Sequence, residues 1–520
     1  MKNPSGSFNL RQSTKFSRRE VLAATTIAAA VSSSVAAEGQ ITPSLTDFGG
    51  VGDGTTDNFE AFRRALSAIG PSGTLYVPPG VFKMYDEGAF RGAQPLVLTD
   101  GQKILGESGR SILGISRRKL SAFYGLAIAG DGIQIDGLEI RCESALPGWT
   151  AGVAITGNSR DTTIRQTAFV GQGGRSGHYG VIPIGVDLEH FSMEQCHFRG
   201  LDFGFFRQTS DTASYQYLNF IDCTGVDCTE VIEINAPGLL FVETKEGSSI
   251  LYRVTDPAGG IIAATALKKG QPVRCEAFPA GTRVAGTDRS GQVVLSNAAI
   301  FSSKSAEPFR LSAGGASHGR ISNLVAREIG QWAVGMANCD DWDIDVAGEG
   351  IGYELVHIED ASRDIRVKVS GSNTNLQRGV VGSPGAENGM VQISSGSRDI
   401  RVQFDSVDLS RSNSTNPVGI CVQAAGIMGT TGREVAPTGI QIAGTIICGS
   451  RSRAVVAFES ELIFDDLTLI GSPPSNNAVA RMRLAGCKIS GTVRTNTSRQ
   501  SLIQQEANSP IGEIQILAVE

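Results

Sequence analysis

The feature that most narrows the folds open to this chain is a short string that keeps returning. Ser159-Arg160-Asp161-Thr162-Thr163-Ile164 comes back as Ser362-Arg363-Asp364-Ile365-Arg366-Val367 and again as Ser397-Arg398-Asp399-Ile400-Arg401-Val402, with Cys339-Asp340-Asp341-Trp342-Asp343-Ile344 as a variant. Asp341 and Asp364 are 23 residues apart, and Asp364 and Asp399 are 35 apart. A period in this range marks stacked units, each too small to bury its own apolar face. The units are β-rich: residues 133–140, 163–169 and 191–198 are short apolar–polar alternations broken by Gly, Asn, Asp and Ser. Strands this short, at this spacing, form one side of a coil. A stack of coils can run to any length, so 520 residues do not require several domains.

Ahead of the coils, Gly49, Gly50, Gly52 and Gly54 punctuate a turn-rich segment, and Thr56 or Asp57 is placed to cap a helix. Phe59, Phe62, Leu66 and Ile69 then recur at helical steps, followed by a strand–turn–strand stretch through Gly73-Thr74-Leu75-Tyr76-Val77-Pro78-Pro79-Gly80-Val81-Phe82. A helix here would plug the open end of a solenoid, whose last coil otherwise exposes apolar residues and an unpaired edge. Over residues 45–82 the chain closely resembles the N-terminal signature of the pectate-lyase-like, rhamnogalacturonase/epimerase-like β-helix family. The resemblance implies an all-β fold, a right-handed parallel β-helix with an N-terminal capping helix. It implies fold far more strongly than reaction. Residues 239–310 break the coil pattern: residues 281–284 and 292–296 flank a turn at 288–291, which predicts a small β insertion. Residues 411–437 and 470–478 are rich in loop-forming types. The expected organisation is a signal over 1–37, cap and first coils over 41–238, the insertion over 239–310, and remaining coils with a C-terminal cap over 311–520.

The first residues resemble a twin-arginine export signal. Arg18-Arg19 precede a mild apolar run from Val21 to Val35, and Ala36-Ala37 supply small residues for cleavage. The run is too short to span a bilayer. The expected location is periplasmic or extracellular, with no membrane span in the mature chain. Nine scattered cysteines, odd in number and without paired metal spacing, read as small core residues. A net charge of −6 argues against nucleic acid as a partner.

Candidate chemistry centres on residues 170–235. Gly200-Leu201-Asp202 and Gly225-Val226-Asp227 align at an offset of 25 residues, which as one coil would stack two carboxylates. Stacked equivalents lie about 4.7–4.9 Å apart, near the ~5–5.5 Å of retaining glycosidases. Glu230 and Glu233 follow, and Arg207 could grip a substrate carboxylate. A Gly-rich loop carries Arg175, His178 and Tyr179, a set suited to proton abstraction beside a neutralised uronate. His318 is expected at a coil turn. Asp341, Asp343 and Asp345 alternate with inward Trp342, Ile344 and Val346, and Arg366 and Lys368 match them one coil on. That strip predicts a ladder of charge pairs, because a metal needs converging oxygens. No cofactor is expected, and calcium has no clear site.

The expected catalytic residues are therefore Asp202, Asp227, Glu230 and His178, with Tyr179, Arg175, Arg207 and Glu233 binding substrate. The family resemblance and the acidic pair point to an exported carbohydrate-active enzyme. It would cleave a polysaccharide, most readily an acidic one, as a hydrolase or a lyase. A uronate epimerase and a non-catalytic glycan-binding or envelope-structural β-helix stay open, as does a homo-oligomer.

Overall fold

The computed structural model describes residues 42–519 apart from 87–95, 121, 145–146, 174–175, 208–213, 236–237, 247–248, 256–282, 288–292, 297–308, 313–315, 338, 360–361, 375–388, 395, 415–416, 424–436, 474–479 and 506–511. The expected signal and Arg175 lie outside the described residues. Among the described residues, no helix is long and apolar enough to cross a membrane.

The unit from Pro43 to Glu520 is built on two parallel sheets. Sheet A holds 24 of the described strands and sheet B holds 13. Each pass of the chain adds a rung to both. In sheet A, Ser192 pairs with Asn219, Asn219 with Arg320, Arg320 with Asp343 and Asp343 with Arg366. In sheet B, Val181, Phe205, Ile232, Val334, Val356 and Val391 form one column. This is a right-handed parallel β-helix, the hand that right-twisted strands favour in parallel crossovers. Its interior is a single apolar cluster from Leu45 to Leu502. Cys142, Cys196, Cys223, Cys228, Cys339, Cys448 and Cys487 are free thiols buried at 2% exposure or less, used as small core residues.

The recurring Ser-Arg-Asp string is the mark of a coil corner. Ser159, Ser362 and Ser397 point inward, and their hydroxyls donate to the carbonyls of Gly130, Glu359 and Ser394. The following Asp161, Asp364 and Asp399 take left-handed backbone, with φ of 54°, 53° and 54°. Asp tolerates that region better than most residues, which is why it recurs there. Sheet register puts Gly132, His190, Tyr217, His318 and Asp341 at the same corner in other coils. The 23- and 35-residue offsets are each one coil, since Arg363 pairs with both Asp340 and Arg398.

The amphipathic segment forms a helix over Phe59–Ile69, with Phe59, Phe62 and Leu66 in the coil core. Its N-cap is Asn58 rather than Thr56 or Asp57. The Asn58 side chain makes no cap bond. It instead accepts from the Val51 amide at 2.7 Å and donates to the Val51 and Thr56 carbonyls, tying down the Gly-rich turn. Between the sheet B strand at Glu230–Asn235 and the sheet A strand at Ala316–Arg327, the chain pairs antiparallel. Gly238–Glu246 lies between Ser249–Thr255 and Phe309–Ser312, and Arg283–Thr287 pairs with Val293–Ser296. One segment read as loop, within 411–437, contains the sheet B strand Val418–Gln423.

Candidate functional site on the outer face of sheet B

A departure from simple alternation sets up the site. In successive coils of sheet B, two consecutive residues face the core, among them Gly180-Val181, Gly204-Phe205, Val231-Ile232, Ala333-Val334 and Leu355-Val356, all buried. The flanking residues, three apart, therefore share the outer face. They include Phe203 with Phe206, Glu230 with Glu233, Trp332 with Gly335, and Glu354 with His357. Two outer columns result, aromatic at one end and ionisable at the other.

The aromatic end contains Tyr124, Trp149, Tyr179, Phe203 and Phe206, all partly exposed. Tyr124 stacks on Trp149 at 6.4 Å between centroids, and Trp149 meets Tyr179 edge-on at 6.2 Å. Tyr179 stacks on Phe203 at 5.4 Å, and Phe203 lies 4.1 Å from Phe206. Ala151 and Ala154 leave the room these rings occupy.

The ionisable end follows directly, because Phe203 pairs with Glu230 and Phe206 with Glu233. Glu230 is 3% exposed and Glu233 is 7% exposed. Burial, then the neighbouring Glu233 carboxylate, pushes the Glu230 carboxyl well above its usual range. Burial also pushes Glu233 up, to about 7, against the Trp332 indole N–H that donates to it at 2.7 Å. Gly335 is required here: a Cβ would fall 1.8 Å from Glu233 Oε2. One coil further, His357 is 3% exposed and Glu354 is fully buried. Burial alone would lower the His357 imidazole, but Glu354 and Glu359 hold it well above its ordinary range. Its Nδ1 is 3.7 Å from Glu354 and its Nε2 is 3.5 Å from Glu359, ion-pair rather than hydrogen-bond distances. Glu230 Oε2 and both Glu354 oxygens have no hydrogen-bond partner among the described residues. Buried polar atoms are otherwise nearly always satisfied.

Glu230 opens into a cavity of about 570 Å³ that it shares with Asp202, Phe203, Thr229 and Gln331. Asp202 reaches it from the preceding coil. Its two oxygens accept from the amides of Ser176 at 3.1 Å and Gly177 at 2.8 Å, fixing the Gly-rich loop at the cavity rim.

The structure thus brings together Asp202, Glu230, Glu233 and Tyr179, keeps His178 beside Asp202 but buried, and places Asp227 and Arg207 away from the cavity. Asp227 is not the stacking partner of Asp202. The coil is 27 residues long here, Phe203 pairing with Glu230, so Asp202 stands level with Thr229. Asp227 is an exposed corner residue with φ of 54°, level with Gly200 at φ 62°. Gly and Asp both tolerate that corner, which is why the two Gly-x-Asp strings looked equivalent. Arg207 is fully buried, its guanidinium 4.1 Å from the Tyr215 ring centroid, and does not reach the cavity. His178 is also buried, its imidazole held below its usual range by burial, with Nδ1 3.0 Å from Ser176 Oγ and 3.2 Å from the Gln172 amide. His318 sits at the coil corner as expected, 2.7 Å from Asp341. Sequence reading missed Trp332, Gly335, Glu354, His357 and Glu359. The signal was there: Glu-Val-Ile-Glu over 230–233 and Glu-Leu-Val-His over 354–357 share one spacing across coils.

No family model matches the chain, and no curated protein matches its sequence. Solved structures similar to it include two from Azotobacter vinelandii, the A-modules of the mannuronan C-5 epimerases AlgE6 and AlgE4. The first is 12% identical with a TM-score of 0.47, covering 92% of this chain and 99% of that one. The second is 13% identical with a TM-score of 0.46, covering 90% and 100%. A third is the catalytic unit of an α-1,3-glucanase from Streptomyces thermodiastaticus, 12% identical with a TM-score of 0.40, covering 92% and 70%.

Proposed function

We propose that this chain is an exported glycan-cleaving enzyme whose active site is the Glu230 cavity on the outer face of sheet B. One observation carries the reading. A buried carboxyl that burial and the adjacent Glu233 hold well above the usual carboxylate range opens into a cavity beside a second carboxylate, at the end of an aromatic strip. A protonated acid is what a leaving glycosidic oxygen needs, and a facing carboxylate supplies the base or nucleophile. In this reading Glu230 is the acid and Asp202 the facing carboxylate. Glu233 and His357 set the protonation of Glu230 from behind, and Tyr179, Phe203 and Trp149 pack the apolar faces of sugar rings. Hydrolysis is favoured over β-elimination or epimerisation because Glu230 and Asp202 share one cavity, whereas of the expected bases His178 and Tyr179 the first is buried, and of the expected uronate clamps Arg175 and Arg207 the second faces Tyr215.

The test is incubation of the mature protein with a broad polysaccharide panel, following reducing ends and ultraviolet absorbance together. New reducing ends without absorbance are expected, and Glu230→Gln should abolish them. Absorbance from unsaturated ends would replace hydrolysis with elimination. Solvent deuterium entering the sugar without cleavage would replace it with epimerisation. Tight binding with no product under any condition would leave a carbohydrate-binding solenoid.

A further inference from the structure

The charge of the cavity narrows the substrate class, and this step rests on the cavity being the glycan site. Among the described residues, the ionisable side chains that line it are Asp202 and Glu230, both carboxyls, with Asp202 the carboxylate and Glu230 the acid of the proposed reaction. Behind them stand Glu233, Glu354 and Glu359, with His357 as the facing cation. His357 is enclosed by its own two carboxylate partners and is 3% exposed, so its charge is already taken up within the protein. Arg207 has turned to Tyr215 and Arg117 donates to Thr150 and to the carbonyls of Leu120 and Pro147. Among the described residues, the remaining surface offered to a ligand is aromatic and hydroxyl or amide: Phe203, Thr229 and Gln331 in the cavity, then Tyr179 and Trp149 along the strip.

We infer that the cavity takes an uncharged stretch of polysaccharide, and that sugars carrying carboxylates are excluded from it. This reverses the expectation of an acidic substrate. A uronate at the cleavage position would meet Asp202 at close range in a partly buried site, where like charges repel far more than in water. Neutral sugars meet no such cost. Their C–H faces fit the rings, and their hydroxyls fit Thr229, Gln331 and the carboxyls.

The experiment compares one neutral glucan with its carboxymethylated form, at several degrees of substitution, using wild type and Glu230→Gln. Binding is read by calorimetry on Glu230→Gln and cleavage by reducing ends on wild type. Affinity for the neutral polymer should exceed that for the carboxymethylated one at least tenfold at low salt, and the gap should narrow as salt screens the repulsion. Equal or tighter binding of the carboxylated polymer, cut or uncut, overturns the inference. So does failure of every neutral polymer on the panel to bind. Neutral binding without cleavage by wild type would sink the hydrolytic reading while the charge inference stands.

Discussion

The outer faces of the two sheets share a backbone and differ in chemistry. On sheet A, Asp343 pairs with Arg366, Asp345 lies 3.5 Å from Lys368, Asp136 is 2.6 Å from Arg165, and Glu461 is 2.6 Å from Lys488. Each charge has an opposite in the adjacent coil, and all but Asp136 are well exposed. On sheet B the ionisable groups are buried, crowded with like charge and left short of hydrogen-bond partners. A rung-to-rung ladder satisfies charge easily, so a face that leaves it unsatisfied does so at a cost in stability. Such costs concentrate where chemistry is done.

Three substitutions and one double-mutant cycle sharpen or break this contrast, from the largest effect on activity to the smallest. Glu230→Gln should lower kcat by about 10²–10⁴-fold, the usual worth of a positioned acid, with a melting temperature at neutral pH no lower than that of the wild type. Gly335→Ala drives a methyl into the Glu233 carboxylate. It should cost roughly 1–3 kcal/mol in denaturant unfolding and reduce activity together.

Glu233→Gln addresses stability. The folded-state value of Glu233, about 7, lies above its unfolded one, so the folded state binds the proton more tightly. Stability from this group is full below the unfolded value near 4.5 and is lost as pH rises towards 7. Removing the charge should therefore stabilise the protein at pH 8 by on the order of 3 kcal/mol and flatten the decline between these values. His357, raised by its carboxylates, acts in the same direction, its stabilisation fading as pH rises through its folded value. An unchanged pH–stability profile in Glu233→Gln would contradict the burial argument. On sheet A, a double-mutant cycle on Asp343 and Arg366 should give only about 0.2–1 kcal/mol, the worth of an exposed pair, with activity untouched.

The same contrast explains what could be read in advance. The corner string was legible because a left-handed corner restricts residue type, and Ser and Asp recur there for separate reasons. The charge strip at Asp343 and Arg366 was legible because strict alternation held across it. The site was legible only in part. Glu230, Glu233, Asp202 and Tyr179 were named and lie near one another in the structure, but the Asp202–Asp227 register slipped by two residues because Gly200 and Asp227 occupy the same corner. Glu354 and His357 went unread because alternation fails in those strands, where Leu355 and Val356 both face inward. Arg207 misled for a related reason: at the strand's end it turns into the core and lies over Tyr215.

The most direct test of the account is the cleavage rate of Glu230→Gln set beside that of Asp343→Asn, on whichever glycan the wild type cuts fastest. The account predicts a loss of at least a hundredfold for Glu230→Gln, with Asp343→Asn at the wild-type rate. Full activity in Glu230→Gln, in a protein that melts no lower than the wild type does, would contradict it.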